Sequence, residues 1–150
     1  MSNFQRENSK SNSHVGREFE ERIQICFKNK YNLELDFNYS LNIGLDYKKN
    51  HRFDLGSNLQ KIIIECKSHT WTKGNNIPSA KLTVWNEAMY YFLLAPDNYR
   101  KIFCVLKDYS DNRGCTLAEY YIRNFNHLIP RGVEIWEYDY NKNELIQLKI

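Results

Sequence analysis

No stretch of this sequence approaches the roughly 18 consecutive apolar residues that cross a bilayer. No signal peptide can be read at its start either. These two absences lead us to expect a chain without a membrane partner, working in the cytoplasm. The sequence also lacks any C-x-x-C pair. Its 4 cysteines, Cys26, Cys66, Cys104 and Cys115, stand singly in apolar or mixed runs. That pattern argues for buried, reduced thiols and against disulfides or a zinc site. No internal repeat can be found, so 150 residues are read as one domain around one core. A strong excess of one charge is missing too: 21 Lys and Arg face 18 Asp and Glu, for a net charge of +3. Such a balance permits a nucleic-acid partner without demanding one, and any contact with a polyanion would need a local basic cluster.

What is present is an ordinary globular composition, rich in aromatics, with clear periodicities. Met1–Ser13, rich in Asn and Ser, reads as a flexible N-terminal arm, followed by a single domain over 14–150. A helix is expected from His14 to about Asn29, since Val15, Phe19, Ile23, Cys26 and Phe27 recur on one face. Ser13 suits its N-cap, and Glu18, Glu20 and Glu21 sit where a helix dipole favours acids. Leu33–Ile43 alternates apolar and polar residues as a half-buried strand does. A polar loop through Lys48, Lys49, Asn50, His51 and Arg52 leads to a short strand, Arg52–Leu55, and a turn at Gly56-Ser57-Asn58. Gln60–Ser68 is the next strand, its Ile62-Ile63-Ile64 run marking a central position.

After a loop over Thr70–Ser79, Leu82, Trp85, Met89 and Phe92 predict a buried helix, Ala80–Leu94, ended by Pro96. Lys101–Lys107 reads as a core strand. Thr116-Leu117-Ala118-Glu119 is a capping box that opens a helix ending near Pro130. Val133–Tyr140 and Leu145–Lys149 form a closing hairpin, in which Ile135 and Trp136 must find cover on opposite faces. The Tyr-rich segment from Tyr120 and Tyr121 through Trp136, Tyr138 and Tyr140 is read as core and subunit interface. The order α-β-β-β-α-β-α-β-β predicts an α/β fold, a mixed central β-sheet flanked by helices on both faces.

The segment with chemical content reads RFDLGSNLQKIIIECK, from Arg52 to Lys67. Glu65 and Lys67 are two apart on a strand and so share a face. They follow the triple-Ile run, where a central strand emerges from the core. Asp54 lies on the preceding strand, and a bent hairpin can bring its carboxylate towards that of Glu65. Two close carboxylates repel, and a hard divalent cation relieves them. Lys67 adds a positive charge able to hold an attacking water and to stabilise charge developing on a phosphate. By pattern alone, a plain surface ion pair at a strand end would read the same way.

At these residues the chain resembles the PD-(D/E)xK nuclease superfamily, the fold of type II restriction endonucleases and many repair nucleases. The resemblance covers about Val15 to Leu106. It extends to Gly16-Arg17-Glu18-Phe19-Glu20, similar to the G-x-x-F-E opening of that superfamily's first helix. The helical wheel also singles out Glu20, at the border of the apolar stripe. Phe53 stands where the motif's proline often does. The resemblance implies a restriction-endonuclease-like sheet. It makes Asp54 and Glu65 the metal ligands, Lys67 the catalytic lysine and Glu20 a further acid at the site. Mg²⁺ is the implied cofactor, with Mn²⁺ able to substitute.

The expected function is Mg²⁺-dependent hydrolysis of double-stranded DNA, as in a small type II restriction endonuclease. One chain carries one site, and two strands must be cut, so a homodimer is expected. Lys48, Lys49, Arg52, Lys73 and Lys81 flank the site as candidate phosphate contacts, and Trp71 as a base or backbone contact, although each would equally serve as a surface or packing residue. His69, two residues past Lys67, is expected to be structural. A repair, recombination or homing nuclease of the same fold is one alternative. A non-catalytic nucleic-acid-binding module is the other.

Overall fold

The computed structural model describes residues 12–150. The arm expected over Met1–Ser13 lies, as far as residue 11, outside the described residues. Helix α1 spans Asn12–Tyr31. Ser13 is therefore inside the helix and not its cap. Glu18, Glu20 and Glu21 fall beyond the first turn, out of reach of the N-terminal dipole. The helix stops at Asn32, whose left-handed φ of 55° lets its N–H return to Lys28 O while Leu33 N–H reaches Phe27 O.

Six strands form the main sheet, in the order β1 (Asp36–Ile43), β2 (Lys49–Ser57), β3 (Ile62–Lys67), β4 (Arg100–Leu106), β7 (Val133–Asp139) and β8 (Glu144–Leu148). Pairs β3–β4 and β4–β7 are parallel, and the others are antiparallel. Helix α2 (Ser79–Leu94) joins β3 to β4, and α3 (Leu117–Phe125) joins β4 to β7. A small ribbon, β5 (Tyr109–Ser110) with β6 (Cys115–Thr116), precedes α3; it was not expected, since two-residue strands have no periodicity to read.

Two cores flank the sheet, as the strand–helix order requires. On one face, Phe19, Ile23 and Phe27 of α1 pack on Leu55, Ile62, Ile64, Ile102 and Trp136. On the other, Leu82, Trp85 and Phe92 of α2 and Tyr121 of α3 pack on Phe53, Ile63, Phe103 and Ile135. Each such large apolar side chain contributes about 1.5–3 kcal/mol on burial. Trp136 finds its cover in α1, edge-on to Phe27 at 5.4 Å and Tyr31 at 5.7 Å. Tyr121 and Tyr138 are core residues, as the sequence implied.

The β1–β2 hairpin departs from simple alternation. Asn38 is left-handed, with φ of 52°, a conformation Asn tolerates. It turns β1 over, so Phe37 joins the α1 core while Tyr39 and Leu41 join the α2 core. Phe53 and Leu55 on β2 are split in the same way. The expectation that Leu33 to Leu41 share one face is thus corrected: a left-handed residue breaks the two-residue period. The polar loop expected at Lys49–Arg52 is also strand, because β2 begins at Lys49. Gly56 and Ser57 still belong to β2, and the turn falls on 58–61.

Pairing partners change along β2. It runs beside β1 from Asp36↔Gly56 to Ile43↔Lys49, but beside β3 only from Leu55↔Ile64 to Ser57↔Ile62. From Phe53 back to Lys49, β2 has left β3 and pairs as a strand with β1 alone. The hairpin tip needs Gly44, where a Cβ would lie 2.0 Å from Tyr47 O.

Candidate active site

The opening between β2 and β3 is where Asp54, Glu65 and Lys67 of RFDLGSNLQKIIIECK come together. Cys66 packs in the α1 core and Ile63 in the α2 core, so alternation sends Glu65 to the α2 side. Glu65 is only 5% exposed. Its Oε1 pairs with His51 Nε2 at 3.2 Å, and its Oε2 lies 3.8 Å from Lys67 Nζ. His51 is fixed in turn: its ring stacks on Tyr91 at 3.8 Å and meets Phe53 edge-on at 4.7 Å. Burial pushes the Glu65 carboxyl up to about 7, the Asp54 charge adds to that rise, and His51 and Lys67 oppose it.

Asp54 sits where β2 turns over. Its Oδ2 accepts the Cys66 N–H at 2.7 Å, just past the last β2–β3 pair. Glu20 approaches it from α1. Burial raises the Glu20 carboxyl to about 7, with further increments from the Asp54 charge and a hydrogen bond to Asp54. Arg17 opposes the shift, its Nη1 standing 3.5 Å from Glu20 Oε2, while its guanidinium lies over the Phe37 ring at 3.7 Å. The nearby like charge thus adds to burial in disfavouring the ionised form of Glu20.

Asp54, Glu65, Lys67 and Glu20 are therefore brought to one edge, in two linked pairs: Glu20 with Asp54, and Glu65 with Lys67. Asp54 raises the carboxyl pKa in both pairs, so the two are electrostatically one cluster. Among the described residues, no three His, Cys, Asp or Glu side chains converge as a ready metal-ligand group. The donor chemistry nonetheless fits a hard divalent cation. The groups offered are carboxylate oxygens, and two of them are raised to about 7 because burial and the Asp54 charge outweigh the opposing Arg17, His51 and Lys67.

His51 was missed as a site residue because it was read into a loop. The signal was the alternation His51–Phe53, which continues β2 upstream of Arg52. His69 is structural, as expected: its Nδ1 accepts the Trp85 indole N–H at 2.8 Å. Burial and the nearby Lys81 and Lys67 lower its pKa to about 4, so the ring is neutral at physiological pH.

The flanking residues divide by exposure. Lys49, Arg52, Lys73 and Lys81 are exposed. Lys48 is exposed too, with its Nζ donating to Gly44 O at 2.7 Å. Trp71 is not a surface residue, which corrects its reading as a DNA contact. It is 6% exposed, its indole N–H is donated to Asp108 O, and its ring meets Tyr120 at 5.4 Å. No family model matches the chain, and no curated protein or solved structure matches it.

Proposed function

We propose that this chain is a Mg²⁺-dependent endonuclease of the PD-(D/E)xK kind, with a restriction-endonuclease-like sheet, that hydrolyses phosphodiester bonds of double-stranded DNA. Its role is that of a small type II restriction endonuclease, working as a homodimer because duplex scission needs two sites. One observation carries the reading. Asp54, Glu65 and Lys67 meet where β2 splits from β3, joined there by Glu20 from α1.

Asp54 and Glu65 would hold the cation. When bound, Mg²⁺ lowers the pKa of a water and polarises the phosphorus–oxygen bond. The protein's own groups have distinct tasks. His51 fixes the orientation of Glu65 through Oε1. Lys67 balances negative charge developing on the phosphate. Glu20, whose carboxyl burial and the Asp54 charge raise to about 7, adds a further oxygen donor beside Asp54 once it is ionised. Lys48, Lys49, Lys73 and Lys81 supply phosphate contacts on either side, and Arg52 is a further DNA contact beside Asp54.

Plasmid and genomic DNA incubated with the purified protein test this reading. Cutting should occur with Mg²⁺ and stop with EDTA. Lys67→Ala and Asp54→Ala should each reduce it by about 10²- to 10³-fold, the scale on which charge-stabilising groups act, with circular dichroism unchanged. If both variants cut like wild type, the site is elsewhere. If neither Mg²⁺ nor Mn²⁺ supports cutting, the chain is not this nuclease.

A further inference from the structure

In the part of β2 that leaves β3, His51 turns inward to Glu65, while the outward-facing side has no task in the chemistry just described. With β1 this part of the strand makes a two-stranded ribbon, paired from Tyr39↔Phe53 to Ile43↔Lys49. The ribbon has two unlike faces. Tyr39, Leu41, Ile43 and Phe53 face α2, packed with Tyr91 and Leu94. The opposite face carries Ser40 and Asn42 from β1 and Asn50 and Arg52 from β2, all exposed. Ser40 lies across from Arg52, and Asn42 across from Asn50. Among the described residues, none of these four side chains has a hydrogen-bond or ion-pair partner.

We infer that this ribbon enters the DNA major groove and reads bases with Asn42, Asn50, Ser40 and Arg52. The inference rests on the nuclease reading above for its ligand, and three observations carry it further. The side-chain types are those that read base edges: Asn pairs two-point with adenine, Arg with guanine, and Ser with either. Charge fits a polyanion, since no acid occurs over 38–43 or 48–53, while Lys48, Lys49 and Arg52 do. Position fits as well. Arg52 is two residues from Asp54 on the same strand, so the face that reads ends beside Asp54, one of the carboxylates that would cut. A major groove about 12 Å wide admits a two-stranded ribbon. One side of this ribbon is anchored on α2, which holds the free side in place.

The test separates reading from cutting. The full chain carrying Lys67→Ala is used to select from a randomised duplex library, with Ca²⁺ in place of Mg²⁺. A short motif should be enriched. Adding Arg52→Ala should erase preference at one G·C pair, and Asn50→Ala at one A·T pair, each by about 5- to 150-fold. Melting temperatures should stay within about 2 °C of the parent, because these side chains touch no core residue. The ribbon inference is overturned if no motif is enriched. The same holds if the motif survives both substitutions, or if they weaken binding equally for every sequence. Wild-type protein with Mg²⁺ on the same library reports cutting separately. Selective binding without cutting refutes the activity and leaves the ribbon standing. Cutting whose sequence is blind to both substitutions refutes the ribbon alone.

Discussion

Glu65→Gln offers a direct measure of the electrostatic conflict at the site. Gln has the size of Glu and can still hydrogen-bond His51, but it carries no charge. In the folded chain the Glu65 carboxyl rises from its ordinary 4.5 to about 7. A raised carboxyl means the folded form binds the proton more tightly than the unfolded form. Its stabilising contribution is whole below about pH 4.5 and is lost as pH rises through about 7. At 1.36 kcal/mol per unit, the loss by pH 8 is about 3 kcal/mol, appropriate to a group only 5% exposed. Glu65→Gln escapes that loss. Without divalent metal it should therefore melt higher than wild type at pH 8. At about 2–4 °C per kcal/mol for a domain of this size, the gap should be about 6–12 °C and should close towards pH 4.5. Every other titrating group is common to both proteins, so the difference between them isolates Glu65. Scanning calorimetry in EDTA at pH 5, 6, 7 and 8 is the assay. A gap that does not change with pH would refute the reasoning. Mg²⁺ should then raise the melting temperature of wild type at pH 8 and leave Glu65→Gln nearly unmoved, since ligand binding stabilises only the form that binds.

Two further outcomes follow from the same geometry. His51→Ala removes a partner that lowers the Glu65 pKa, so Glu65 should titrate higher still. The pH at which Mg²⁺-dependent cleavage rises should move upward, and a pH profile identical to wild type would remove His51 from the site. Thr116→Ala should lower stability by about 2–4 kcal/mol, seen as a lower midpoint in urea. It removes the hydroxyl that caps Glu119 N–H at 3.1 Å and leaves Glu137, 5% exposed, without its hydroxyl donor.

The elements best legible in the sequence were those whose periodicity comes from burial on one side. Phe19, Ile23 and Phe27 marked α1, and Leu82, Trp85 and Phe92 marked α2, because each helix faces a single core. The triple-Ile strand was central, as its composition implied, with β2 and β4 as neighbours. The Thr116–Glu119 capping box was visible because its two hydrogen bonds need those residue types at that spacing. The hairpin was less legible. Asn38 changes the face of β1 through one backbone angle, which composition does not record, and β2 reads as loop where its outward residues are Asn and Arg. The four charged residues, Glu20, Asp54, Glu65 and Lys67, were named from the sequence, but their division into two pairs was not. That division depends on Asp54 turning towards Glu20 and Cys66 N–H while Glu65 turns towards His51.

The two-faced ribbon separates what keeps the chain folded from what it offers to solvent. Its inward residues hold it to α2, and a change there disturbs the core. Its outward residues have no hydrogen-bond or ion-pair partner among the described residues, and exchanging one for another leaves stability within about 0.5 kcal/mol. A lineage carrying this scaffold can therefore pass through many outward side-chain combinations without losing folded protein or moving the acids at Asp54 and Glu65. Diversification at the ribbon and conservatism at the catalytic edge become independent paths for selection, though only Phe53 separates Arg52 from Asp54.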